Sequence, residues 1–136
     1  MSSQNALNAA IYSKLTAGTA LTSLLAGTTS IYFLQAPDNS SLPYVEFSCP
    51  SELDQNLIPT RMKDIVLRVQ AVASTPALAG TLDAQMDAIL NEASLTITGW
   101  TNLWMRRENG FQTVITDQAG VRYYVSGADY RVELTK

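Results

Sequence analysis

The C-terminal run Val121-Arg-Tyr-Tyr-Val-Ser-Gly-Ala-Asp-Tyr-Arg-Val-Glu-Leu134 constrains the fold more than any other part of the chain. Its apolar side chains recur at every second residue, the period of a β-strand. Val121, Tyr123 and Val125 fall on one face; beyond Ser126-Gly127 the apolar positions are Tyr130, Val132 and Leu134. One extra residue flips the face a strand presents, and glycine tolerates the backbone of such a bulge. The pattern predicts a long strand broken once, at Ser126-Gly127. A chain that finishes on a strand ties that end into a sheet. The sheet is therefore expected to organise the fold, with no trailing tail for catalysis or targeting.

With 136 residues, 46% of them hydrophobic, the chain has the length of one domain and enough apolar mass for a core without staples. A single domain over residues 1–136 is expected. There is no histidine. That removes Ser/His and Cys/His nucleophile systems, His-containing zinc sites and the side chain best suited to moving protons near neutral pH. The one cysteine, Cys49, cannot form an internal disulfide. It lies in the apolar run Tyr44–Cys49 and reads as a small buried hydrophobe, in a compartment that is reducing or where disulfides are not needed.

The formal net charge is −3, and the imbalance is local: through Thr60 the only base is Lys14, against Asp38, Glu46, Glu52 and Asp54. No basic stripe forms, so specific binding to a phosphate backbone is not expected. The uncharged stretch Leu15–Pro37 is too rich in Gly, Ser and Thr for a bilayer span. Met1-Ser-Ser-Gln-Asn lacks the basic region of a signal peptide. A soluble, cytoplasmic protein without membrane contact is expected.

Leu7, Ala10, Ile11 and Leu15 recur at helical spacing, with Ser3 or Asn5 as cap, Lys14 in the last turn and Gly18 as the close. Thr19–Ala26, ended by Gly27, adds a short second piece to the same amphipathic layer. Ile31–Leu34 is a short strand and Ala36–Ser41 a loop. Pro43 opens a strand, Tyr44–Cys49, which Pro50 is expected to stop. Ser51–Met62 then reads as a long loop, either folded back on the core or kept for a partner. Lys63–Ala73 is the clearest strand: Ile65, Leu67, Val69 and Ala71 line one face, while Val66 and Val72 interrupt the polar one, for which subunit contact is one explanation. Thr75-Pro76 starts a helix through a capping hydroxyl and a proline at the first helical position. Leu78, Leu82, Met86, Ile89 and Ala93 form its apolar stripe, with Asp83, Gln85, Asp87 and Asn91 facing outward. A meander follows: Leu103–Glu108, Phe111–Thr116 and Val121–Leu134, turned at Asn109-Gly110 and Gln118-Ala-Gly120. The expected fold class is α+β: a mostly antiparallel four- to five-stranded sheet with two main helices packed on one face.

No phosphate-binding glycine loop, nucleophile elbow or metal-ligand spacing occurs, and no catalytic, cofactor-binding or metal-binding residue is assigned. Glu46, Glu52 and Asp54 approximate a carboxylate cluster, but a proline-broken segment separates them, and surface charge is the favoured reading. An enzyme or ligand-binding domain would have to rely on Glu52, Asp54 and Arg61. A nucleic-acid module would rely on Trp104, Arg106 and Arg107. Strand alternation sends Arg106 and Arg107 to opposite faces and places Trp100 and Trp104 on the same one, which favours packing over base stacking.

Ala6-Leu-Asn-Ala-Ala-Ile-Tyr-Ser-Lys-Leu15, Thr19–Gly27, Ile31-Tyr32, Ser41-Leu-Pro-Tyr-Val-Glu-Phe47, the strand and Pro76 helix, and Gly127-Ala-Asp-Tyr-Arg-Val132 form a set of short motifs. Together they resemble those of the small tail-completion or tail-terminator proteins of long-tailed bacteriophages. The resemblance covers nearly the whole chain; its most specific pieces are Leu-Pro-Tyr-Val and Gly-x-x-Tyr-Arg-Val. It implies a structural virion protein, not an enzyme and without cofactor. Such a protein forms a homohexameric ring at the head-proximal end of the tail, where it ends the tube and meets the head connector. Its partners would be the tail tube protein and neck proteins, with DNA passing through the lumen unbound. A neck or head-completion protein is the alternative, and assembly in the host cytoplasm is implied in either case. Closed rings need two different patches on each subunit; Leu53, Leu57, Ile58, Arg61, Val66 and Arg68 are the expected partner interface.

Overall fold

The computed structural model describes residues 3–56 and 61–136. Among these, helix α1 (Ser3–Thr16) and the single-turn α2 (Thr19–Thr22) precede strands β1 (Ile31–Phe33), β2 (Tyr44–Asn56) and β3 (Arg61–Ala73). Helix α3 (Pro76–Leu90) follows, then β4 (Thr96–Ile97), β5 (Trp100–Thr116) and β6 (Arg122–Thr135). The strands form one six-stranded sheet in the order β1-β2-β3-β6-β5-β4, curled into a half-barrel. Among the described residues no helix is long and apolar enough to cross a membrane.

This corrects the expected four- to five-stranded, mostly antiparallel sheet with two main helices. The sheet is mixed, because β1 runs parallel to β2, and it has six strands accompanied by three helices. Two expected element boundaries also fall away. Pro50 does not stop β2, and Ser51–Met62 is not a long loop: the strand runs through Pro50 to Asn56 and pairs with β3 as far as Arg61. The register shifts between Ser48 and Ser51, so Cys49 and Pro50 together oppose Leu67. A bulge is where a strand can hold proline, because no ladder bond is required there. Asn109-Gly110, likewise, is no turn. Both residues lie inside β5, paired with Asp129 and Ala128 of β6.

The opening strand also differs from its sequence pattern. β6 pairs with β3 from Tyr124 to Thr135 and with β5 from Arg122 to Thr135, and neither register shifts at Ser126-Gly127. No residue is inserted there; the apolar face itself changes sides. Tyr130, Val132 and Leu134 share the helix-covered face with their partners Leu67, Ile65 and Lys63. Val125 lies on the opposite, open face, where it is 3% exposed beside Val72 at 4%. Tyr44 continues that row. Val72 is thus covered by its own chain. Gly127 has a different purpose from that expected: a Cβ there would lie 2.6 Å from the Gln70 Cα and closer still to the Val69 carbonyl oxygen. The two strands approach so tightly that only glycine fits.

The core lies between the sheet and the helices. Leu7, Ile11 and Leu15 of α1, and Ala79, Leu82, Met86 and Leu90 of α3, meet Ile65, Leu67, Val69 and Ala71 of β3. The α3 start is as the sequence predicts: Thr75 is the N-cap, its Oγ1 accepting from the Leu78 N–H at 3.2 Å, and Pro76 opens the helix.

Candidate functional site

Charged groups fall into two sets, one that fastens the helices to the sheet and one that decorates the open face. Arg107 belongs to the first. Its Nη1 and Nη2 donate to Asp83 Oδ1 and Oδ2 at 3.1 and 2.9 Å, a fork-to-fork pair. Asp87 Oδ1 lies 3.6 Å from Nη1 and accepts from the Tyr130 hydroxyl at 2.9 Å. The hydrogen bond to Asp83 keeps the guanidinium firmly charged. Burial, followed by donation to Asp87, pushes the Tyr130 hydroxyl far above its ordinary range. A Cβ on Gly110 would sit 2.8 Å from Arg107 Nη2, so this glycine makes room for the guanidinium. Asp83 and Asp87, expected to face solvent, point into this network instead. The helix ends on the same strand: Asn91 Oδ1 accepts the Arg107 N–H at 3.0 Å, and the Glu92 N–H donates to the Met105 carbonyl at 2.9 Å.

At the start of α1, Glu52 Oε1 accepts from Ser3 Oγ at 3.0 Å and Lys63 Nζ at 2.5 Å, while Oε2 accepts from Gln4 Nε2 at 2.6 Å. Burial alone would raise this carboxyl, but the bonds from Lys63, Gln4 and Ser3 outweigh it and bring it below the usual range. Asp54 shares Lys63 at 3.2 Å. Glu46 lies on the other face, because the bulge separates the two halves of β2; there it accepts from the Ala36 N–H at 2.7 Å and Gln70 Nε2 at 3.1 Å. The three carboxylates therefore do not converge. Arg61, the third residue of the enzyme reading, is exposed, and its carbonyl accepts the Lys136 N–H at 3.0 Å.

The open face carries cross-strand pairs: Arg68 to Asp129 at 2.8 Å, Arg131 to Asp64 at 3.4 Å and to Glu108 at 3.1 Å. Arg68 also covers the Phe111 ring at 5.6 Å. Arg106 and Arg107 do fall on opposite faces, but Trp100 and Trp104 are separated as well. A register shift between Asn102 and Trp104 inserts Leu103, which turns Trp104 to the open face, stacked under Arg106 at 5.3 Å, and leaves Trp100 against the core.

Of the residues expected at a partner interface, Leu53, Val66 and Arg68 share the open face, since Leu53 opposes Asp64 and Val66 and Arg68 oppose Arg131 and Asp129. Arg61 projects from the other face. Leu57 and Ile58 lie outside the described residues.

Sequence reading missed the feature that most sets this surface apart. The β5–β6 ribbon continues past the last β3 partner, Ala73 opposite Tyr124, into a turn at Asp117–Val121. Asp117 Oδ1 holds that turn, accepting the Ala119 and Val121 N–H groups at 2.9 Å each. Val114, Ile115 and Val121 on this ribbon are all about half exposed. Beyond the clamp at Met105 and Arg107, no described strand pairs with the outer edge of β5, because β4 reaches only Trp100 and Thr101. On the far side of the sheet, β1 pairs with β2 only over Val45–Phe47, which leaves Ser51–Asn56 an edge as well. The available signal was the uncharged, proline-free run Gly110-Phe-Gln-Thr-Val-Ile-Thr116, unusual for an edge.

Among the described residues, then, charged clusters fasten the helices to the sheet, and no strand pairs with the distal edges of β5 and β2. The chain belongs to the tail completion protein gp17 family, whose model matches residues 9–132. It is a structural protein of the phage tail. No curated protein matches it. Among solved structures, a chain from the virion of the native gene transfer agent (GTA) particle aligns with a TM-score of 0.78 at 17% identity, covering 99% of this chain and 98% of that one. A second solved chain aligns at 0.61 and 16% identity, over 97% and 96%. At these identities the likeness shows the fold.

Proposed function

We propose that the chain, acting as a single domain, assembles into a closed ring at the head-proximal end of the tail. There it ends the tail tube and joins it to the head connector, with a structural role and no catalysis. The supporting observation is that the sheet has two different edges on opposite sides, distal β5 and distal β2, with which no strand among the described residues pairs. Unlike edges on one subunit suit head-to-tail contacts, which close into rings, whereas a two-fold dimer joins one patch to itself. The open face, with Leu53, Val66 and Arg68, then lies within or beside the subunit contacts. Six copies are the expected number, by the family resemblance. Among the described residues, most of the basic groups on the open face are paired with carboxylates, in keeping with DNA passing through unheld.

Light scattering on the purified protein, alone and mixed with tail tubes made in its absence, tests this. The expected result is a discrete ring-sized species or stoichiometric capping of tube ends, seen by electron microscopy. A monomer at every concentration that also leaves tube ends bare would overturn it.

A further inference from the structure

Resting on the ring reading, we infer that neighbouring copies join by strand addition. The outer edge of β5 over Phe111–Thr116 pairs with the edge of β2 over Ser51–Asn56 in a second copy. The six-stranded sheet then continues across the subunit boundary. An uncovered strand is a template for another chain, and folded proteins normally blunt it with charge, proline or a covering element. Phe111–Thr116 carries no charge and no proline, and among the described residues no strand pairs with its outer side. The ribbon tip has apolar side chains on both faces, Ile115 on one and Val114 on the other, and a two-stranded ribbon of that kind is marginal in water unless covered.

The occupant is a second copy because the two edges match face by face. On the open face, Ile115 is 53% exposed on one edge and Leu53 is 59% exposed on the other. On the helix-covered face, Arg122 is exposed at the ribbon tip, and Asp54, with its side chain 55% exposed, lies on β2. Pairing the edges sets Ile115 beside Leu53, an apolar contact on the open face. On the other face Asp54 comes against the β5 edge at Val114–Thr116, and Arg122, one strand further in on β6 beside Thr116, extends its long side chain across that edge toward it. The two edges lie at opposite ends of the sheet along the strand direction. Joined subunits therefore have their strands inclined to the ring axis, as in a barrel.

The test uses the full chain with Cys49→Ala, Leu53→Cys and Ile115→Cys, under mild oxidation, in solution and on tail tubes. The expected result is a ladder of covalent oligomers ending at the ring mass, absent from each single-cysteine control. A ring seen by native mass spectrometry with no cross-link above the controls would overturn strand addition and leave the ring reading standing; no oligomer in either setting would remove both. Charge exchange is a second arm. Asp54→Arg is expected to raise the concentration for half-assembly at least tenfold, and Asp54→Arg with Arg122→Asp to restore it, with circular dichroism unchanged. Failure of the exchange to restore assembly, in variants that retain the fold, counts against the pairing.

Discussion

Arg107 of β5 holds Asp83 of α3 through two hydrogen bonds of 3.1 and 2.9 Å, and this pair fixes the helix against the sheet. Replacing Arg107 with Ala leaves two carboxylates, Asp83 and Asp87, facing each other without their cation. The expected cost is ~2–4 kcal/mol, because losing one partner of a partly buried ion pair strands the other. Arg107→Lys should recover only part, since an ammonium cannot form the fork. Urea unfolding of the two variants checks this, and equal midpoints for wild type and Arg107→Ala would refute it.

Gly127 and Gly80 should respond to alanine in opposite directions. At Gly127 a methyl group runs into the β3 backbone at Val69 and Gln70, so Gly127→Ala should destabilise by ~2–3 kcal/mol. At Gly80, inside α3, a Cβ meets nothing within 4 Å, and Gly80→Ala should stabilise by about 0.5–1 kcal/mol. Thermal unfolding of both variants tests the pair of signs.

Glu52 makes stability depend on acid. Its carboxyl is held below the ordinary value of 4.5 in the folded chain, so folding favours the ionised form. The stabilisation is complete above about that value and disappears as pH falls through the lower folded pKa. Glu52→Gln should therefore be less stable than wild type at pH 6, with the gap closing on acidification. Urea midpoints measured from pH 6 down to pH 2.5 check this; a gap independent of pH would show that Glu52 acts through packing alone.

Cys49 should be inert. Burial pushes its thiol up to about 11 from 9.0, and its Sγ donates to Asn8 Oδ1 at 3.6 Å. At pH 8 this lowers the thiolate fraction about a hundredfold. Labelling by a thiol reagent should be slow in the native chain and prompt in urea. Rapid native labelling would mean that the start of β2 opens easily.

Periodicity and capping made much of the fold legible in advance. Thr75-Pro76 set the start of α3, and alternation at Ile65, Leu67, Val69 and Ala71 set the buried face of β3. Turn chemistry misled where a tertiary contact used the same residue differently. Asn109-Gly110 reads as a hairpin, yet Gly110 is there to admit Arg107; Gly127 reads as a bulge, yet it admits the β3 backbone. Asp83 and Asp87 read as solvent-facing because their partners, Arg107 and Tyr130, are distant in sequence. The run Gly110–Thr116 marks an uncharged, proline-free strand, but not that it is an edge, since which strand lies outermost is a property of strand order.

The bulge at Cys49-Pro50 divides β2 into two reading frames. Upstream of it, even-numbered side chains such as Glu46 reach the open face; downstream, odd-numbered ones such as Leu53 do. Removing a single residue at this point would exchange the roles of the whole distal half, turning Leu53 toward the helices and sending Glu52 away from Ser3, Gln4 and Lys63. The strand is thus more sensitive to a change of length at this position than to most changes of side chain, and lineages of this family should vary in composition around it far more freely than in spacing.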